Sequence, residues 1–462
     1  MFESLERRVL LAATTTAAAI VDHLGVLHVN GTDGSDHIDV LRVGEHVVVF
    51  VEPLRTQTVT YDVASLQSIT IDAGAGDDDI LIDERIDLSA DVRGGAGNDV
   101  LTGGAGHDRL DGGTGDDVLD GRGGADFMIG GSGIDTVDYS SRTGDLLVSI
   151  ESGAATPNDG ESGERDSVDA TVEVVLGGAG DDLITSQHTT APRAFYGGAG
   201  NDTLVGSDGN DRLNGGAGRD SLLGGAGDDL LVGGAGRDVF HGETGNDTVS
   251  YYYATEPVRA AIDDFSNDGV RGERDNLHGD VENLVGGSAD DHLVGGDGAV
   301  NKVANVLDGG AGNDLLEGLN GDDLLIGSTG EDTLNGGHGA DSLRGGLGTD
   351  RLIGGYGYED VADYADRTAG VEVSLDGIAD DGTSGENDRI DDDVEGVLGG
   401  RGDDVIVGSA FTNMLQGGAG DDTIRGAGGE DVLVGGPGVD SLIGLVGAAR
   451  FVTDPDDVLM AA

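Results

Sequence analysis

The 462-residue chain contains no cysteine and no tryptophan, only six prolines, and a single lysine, Lys302. Without cysteine no disulfide staples the fold, and thiolate metal sites are excluded. Aromatic residues make up 4% of the chain, and no apolar run is long enough to span a bilayer. Positive charge is scarce too: 25 Lys and Arg stand against 89 Asp and Glu, a formal net charge of −64. Nucleic acid and anionic membranes are poor partners for such a chain, because like charges repel. Charge of this size also opposes any compact state. Composition alone therefore fits a disordered acidic chain, a halophile-type acidic surface, or a fold whose missing positive charge arrives as bound cations.

What is abundant is glycine, at 88 residues. It loses the most backbone entropy on folding and adds no side chain to a core, so a conventional globule would be marginal. The glycines are periodic. "GGAGNDVLTGGAGHDRLDGGTGDDVLD" (94–120) spells Gly-Gly-x-Gly-x-Asp, any residue, an aliphatic residue and a variable one, three times in succession. Neither a helix nor an alternating strand has a nine-residue period; a repeat architecture does. The sixth-position aspartates of this array are Asp99, Asp108, Asp117, Asp126 and Asp135. A second array (197–250) carries Asp202, Asp211, Asp220, Asp229, Asp238 and Asp247, and a third (309–353) Asp314, Asp323, Asp332, Asp341 and Asp350. A fourth (417–443) carries Asp422, Asp431 and Asp440, and isolated copies beginning at Gly177, Gly286 and Gly399 add Asp182, Asp291 and Asp404.

A longer period overlies the first. "NDGESGERD" (158–166), "NDGVRGERD" (267–275) and "DDGTSGEND" (380–388) share one pattern. Each follows an alternating, strand-like run, "DLLVSIE" (145–151), "PVRAAID" (257–263) or "GVEVSLD" (370–376), and precedes a glutamate, Glu173, Glu282 or Glu395. The chain thus reads as tandem modules of array plus connector. The expected divisions are a targeting-like leader (1–20), an N-terminal β cap with degenerate repeats (21–92), arrays at 93–139, 177–250, 286–362 and 399–447, β connectors at 140–176, 251–285 and 363–398, and a tail (448–462). The connector acids Asp159, Glu164 and Asp166, with their equivalents, fit either a further cation loop or a polar turn.

Six residues of each repeat suit a turn and three a short strand, with Leu101, Leu110 and Leu119 facing inward. Two repeats make one coil, so identical acidic turns stack at about the strand spacing of 4.8 Å. Two unit charges that close repel by several kcal/mol at an effective dielectric near 20. A cation between turns reverses the sign. The donors are carboxylates and carbonyls: Ca²⁺ accepts six to eight such oxygens in tolerant geometry, Mg²⁺ demands a strict octahedron, and Zn²⁺ prefers nitrogen and sulfur. The residues point to multiple calcium ions.

The arrays resemble the nonapeptides of the repeats-in-toxin (RTX) family, hemolysin-type calcium-binding repeats whose fold is a parallel β-roll. About twenty good copies carry the resemblance. It implies an all-β parallel solenoid and an ion shared between a repeat and the one two further on, so that Asp99 would pair with the loop at Gly112–Asp117 and Asp202 with that at Gly215–Asp220. Departures stand at Arg122, Glu243, Ser207 and Ser328, and Asn413 replaces the aspartate in "GSAFTNMLQ" (408–416). The start "MFESLERRVLLAA" is similar to the Leu-Glu-Pro-Arg-x-Leu-Leu leader of exported planctomycete-type proteins, with Arg7 in the place of proline.

Catalytic signatures are missing from the sequence. There is no His-Glu-x-x-His, no Gly-x-Ser-x-Gly elbow with partners, and no phosphate loop. His107, His241 and His338 fall in variable repeat positions and read as solvent-facing. The expectation is a non-enzymatic, secreted, calcium-binding structural or adhesive protein, with extracellular glycans or cell-surface components as candidate partners. The alternatives are an accessory or carbohydrate-active protein of the kind whose repeats accompany epimerases and lipases, and an RTX cytolysin. The single lysine and the lack of an apolar helix weigh against the last.

Overall fold

A computed structural model describes residues 18–52, 59–151, 159–187, 189–296, 304–444, 449–454 and 457–461. Most of the leader-like segment and Lys302 lie outside these residues. Strands dominate, and among the described residues there is no α-helix. The chain divides into two compact units at Thr203/Leu204.

In the first unit, alternate repeats feed two parallel ladders. One contains Val26–Asn30, Ser68–Ala75, Ala90–Ala96, Arg109–Thr114, Phe127–Ser132 and Ser167–Val168. The other runs through His37–Val43, Asp79–Ile82, Val100–Thr102, Val118–Asp120, Thr136–Asp138, Val174–Leu176 and Ala194–Gly200. Val118 pairs with Val100 and Arg109 with Phe127, a register of two repeats per coil. The strands are short because glycine-rich turns interrupt them every nine residues. Residues 26–92 thus already contribute strands to both ladders. Their additions are antiparallel: Ala18–Val21 on Val26–Asn30, and His46–Glu52 between His37–Val43 and Val59–Asp62.

The second unit repeats the plan. One ladder runs from Arg212–Gly218 through Leu230–Gly236, Thr248–Ser250 and Asn283–Val285 to Val306–Asp308, and on to Val432–Val434 and Arg450–Val452. The opposite ladder is restarted by connectors. Val258–Ala261 and Val371–Ser374 each pair antiparallel with the connector loop behind them and parallel with the first strand of the array ahead. Leu146–Glu151 does the same in the first unit.

In the regular arrays the core is one residue wide. Leu101, Leu110, Leu119, Met128 and Val137, then Leu213, Leu222, Leu231, Phe240 and Val249, are fully buried. Each contributes roughly 1.5–3 kcal/mol by burial. Within the regular arrays the immediate neighbours of each such residue along the strand face outward, whereas strands such as Ser68–Ala75 and Leu146–Glu151 bury two or three apolar residues.

Candidate metal centre

Every sixth-position aspartate named from the sequence is at most 3% exposed. Their burial follows from the turn. A Cβ added at Gly94 would collide with the carboxylate of Asp99, and one at Gly97, where φ is +132°, would strike the Gly76 carbonyl oxygen. Only glycine lets the turn fold back over its own aspartate while lying against the turn below.

The carboxylates are then held in rows. The Asp99 amide donates to Asp117 Oδ1 (2.8 Å), and the Asp117 amide to Asp135 Oδ1 (2.9 Å), each step spanning 18 residues. The same link joins Asp108 to Asp126, Asp211 to Asp229, Asp220 to Asp238, Asp229 to Asp247, Asp314 to Asp332, Asp323 to Asp341, Asp332 to Asp350, Asp404 to Asp422 and Asp422 to Asp440. Where residues are inserted the link survives over 20 residues, from Asp182 to Asp202, or 23, from Asp291 to Asp314.

The second carboxylate oxygen separates two kinds of turn. In Asp108, Asp182, Asp211, Asp291 and Asp404, Oδ2 accepts the amide of the second residue of its own repeat, Gly104, Gly178, Ser207, Gly287 or Gly400. In Asp99, Asp117, Asp126, Asp135, Asp229, Asp238, Asp247, Asp314, Asp323, Asp332, Asp341, Asp350, Asp422, Asp431 and Asp440, Oδ2 is buried with no hydrogen-bond partner. A buried carboxylate oxygen without a partner is costly.

The cost appears in the titration of these groups. Burial pushes Asp117 up to about 7, aided by the charges of Asp99 and Asp135 and opposed by the Asp99 amide. Asp126 rises to about 8, and Asp229, Asp247, Asp323 and Asp332 to about 7, burial again leading.

The two turns also explain the sequence departures. Arg122, Glu243 and Ser328 hold positive φ (60°, 71° and 75°) in the place of glycine, in turns of the second kind. Ser207 needs no such conformation, because its amide turns inward to Asp211. At Asn413 both ends of the amide are engaged: Oδ1 accepts from Ser409 and Nδ2 donates to the Glu395 carbonyl.

Connectors extend the rows with other residues. The amides of Asp126, Asp238 and Asp350 donate to Asp166, Asp275 and Asp388. Those of Asp135, Asp247 and Asp360 donate to Glu173, Glu282 and Glu395. The free oxygen of each connector aspartate accepts a buried tyrosine hydroxyl, from Tyr139, Tyr251 or Tyr364 (3.2, 3.0 and 2.9 Å). Burial holds these tyrosines well above their usual range, so they stay neutral donors. Asp159 is likewise closed by the amides of Ser149 and Val168. Asp159 and Asp166 thus have both carboxylate oxygens in hydrogen bonds.

Several members of the rows escape a strict nine-residue reading. Asp36, Asp78 and Asp360 are buried in the same setting, and Asp457 accepts the Asp440 amide (3.2 Å). The signal for Asp360 was "GGYGYED" (354–360), a repeat lengthened by one residue. Fifth-position Asn and Asp residues form a further, exposed ladder: the amides of Asn98, Asp116 and Ile134 donate to Asp77, Asn98 and Asp116.

Stacked oxygen-only turns, those of the second kind with an orphaned buried carboxylate oxygen over a glycine cradle, suit a hard divalent cation. The fold is a parallel β-roll whose turns carry stacked rows of buried aspartates. Residues 91–119, 102–137, 196–231, 217–249, 278–299, 304–334, 326–357, 397–410 and 407–442 match the RTX calcium-binding nonapeptide repeat (4 copies). These segments are calcium-binding repeats of that family, and their cofactor is Ca²⁺ in multiple copies. No curated protein matches it. Among the described residues no helix is long and apolar enough to cross a membrane.

Proposed function

We propose that this is a secreted protein whose β-rolls assemble when calcium outside the cell fills the turns, and that it serves as a non-catalytic structural or adhesive scaffold. The observation that carries this reading is the row of orphaned Oδ2 atoms: without a cation the folded state holds buried carboxylates it cannot satisfy. The sixth-position aspartates from Asp99 to Asp440 are the ligands, with turn carbonyls completing the oxygen set. If each regular pair of turns shares an ion, about fifteen Ca²⁺ offset about half of the net charge of −64. Extracellular calcium modules bind at about 10⁻⁴–10⁻³ M, above cytosolic levels, so binding and folding would occur together after export.

Adhesion is supported by aromatic residues on the surface of a chain that has few. Tyr252, Tyr253, Tyr356 and Tyr358 are exposed, and the first two pack edge to face at 4.9 Å. Tyr253 borders a cleft of about 320 Å³ with Val232, Ala235, Thr255 and Glu256. Tyrosine presents both a stacking face and a hydroxyl, a surface suited to sugars. Glycan-array binding of the calcium-loaded protein tests this reading. Retention that EGTA abolishes is expected; turnover of a bound glycan, or no retention on any glycan or cell surface, contradicts it.

A further inference from the structure

The three connectors share one backbone arrangement and differ in what they place at one point on it. The amides of Asp169, His278 and Asp391 donate to the carbonyls of Met128, Phe240 and Leu352 (2.9, 3.1 and 2.9 Å). Ile129 and Gly131 in the first module, and Ile353 and Gly355 in the third, therefore hold the places of His241 and Glu243 in the second. Thr171 and Asp393 correspond to Asp280. Only the second module brings imidazole and two carboxylates together, with one ligand atom from each of His241, Glu243 and Asp280 within 4.8 Å of the others.

Three details separate this cluster from an ordinary acidic surface. His241 Nδ1 lies 3.6 Å from Asp280 Oδ2, too far for a hydrogen bond. Two ligands on a tetrahedral ion with bonds of about 2.0–2.1 Å stand roughly 3.3 Å apart. Asp280 Oδ1 is buried with no partner, whereas both oxygens of the equivalent Asp393 accept turn amides, from Gly354 (3.1 Å) and Gly355 (2.9 Å). Glu243 also holds φ +71° where Gly131 and Gly355 stand at +119° and +105°. A side chain in that conformation costs on the order of 1 kcal/mol, which glycine would avoid.

His278 completes the setting. Its ring stacks on His241 at 3.7 Å and 21°. Its Nδ1 faces the Asp264 carboxylate (3.1 Å) and its Nε2 the Asn276 amide (2.8 Å), so both nitrogens are occupied. It fixes the plane of His241 and leaves His241 to bind.

We infer that His241, Glu243 and Asp280 form a site for a borderline transition-metal dication, Zn²⁺, chemically distinct from the calcium turns. Imidazole with two carboxylates is a ligand set zinc accepts, with water in the fourth position, while calcium gains little from imidazole. The test is calorimetric titration of Zn²⁺ into calcium-saturated protein at pH 7.5, with Glu243→Gly and His241→Ala alongside. Glu243→Gly restores the residue found at the equivalent positions, so its fold is secure. One zinc equivalent that excess calcium does not displace is expected, weakened about tenfold or more in each variant. Co²⁺ in its place should give visible d–d bands that His241→Ala abolishes. No zinc isotherm in the presence of calcium, or a wild-type isotherm in either variant, overturns the site.

Discussion

In the absence of calcium, acid should restore the fold that a chelator removes. Asp332 shows the magnitude. Its carboxyl is held near 7 in the folded chain against 3.8 for the free group. At pH 8, ionised in both states, it costs the calcium-free fold about 4 kcal/mol; at pH 5 the cost falls below about 2 kcal/mol. Because the folded value is the higher one, the fold takes up protons, and this contribution is fully present below 3.8 and lost as pH rises through 7. Asp117, Asp229, Asp247 and Asp323 stand in the same position. A few such groups outweigh a net domain stability of about 5–15 kcal/mol. The assay is far-UV circular dichroism in EGTA from pH 8 to pH 5. The β signal should be weak at pH 8 and return as pH falls through 7 to 6. A full signal at pH 8 in EGTA, or none at pH 5, would show that these carboxyls do not govern the calcium-free fold.

Other outcomes follow from single contacts. Gly348 has φ +145° and a Cβ there would strike the Gly330 carbonyl, so Gly348→Ala should cost more than about 2 kcal/mol in calcium-loaded urea unfolding. Gly123 meets nothing within 4 Å and has ordinary φ, so Gly123→Ala should be neutral or stabilise by about 0.5 kcal/mol. Tyr364→Phe leaves Asp388 Oδ2 without its buried donor, and should lower stability by about 1–3 kcal/mol while leaving the number of bound calcium ions unchanged.

The nine-residue period, the leucine column and the aspartate rows were legible because stacking imposes them on every coil. The two kinds of turn were not. Gly104 and Gly95 occupy the same repeat position, yet only Gly95 has positive φ (+113°); the difference lies in which turn stands beneath, a tertiary fact. The register also tolerates insertions, as the 21-residue step from Asp78 to Asp99 demonstrates, so a fixed period missed Asp78, Asp360 and Asp457. Connector residues were readable as a pattern, but their task of continuing the rows with Glu173 and Asp166 depends on a fold-back of about forty residues. In the His241 cluster, Asp280 stands too far along the sequence from His241 and Glu243 to suggest itself as their partner.

If stacked acidic turns share a coil only with divalent ions among them, calcium binding and β structure must appear together. Bound calcium and far-UV circular dichroism followed in one titration at pH 8, with magnesium as control, decide this. The β signal should rise cooperatively with calcium bound, and magnesium should not replace it. A chain already fully β before the first calcium binds would contradict the account.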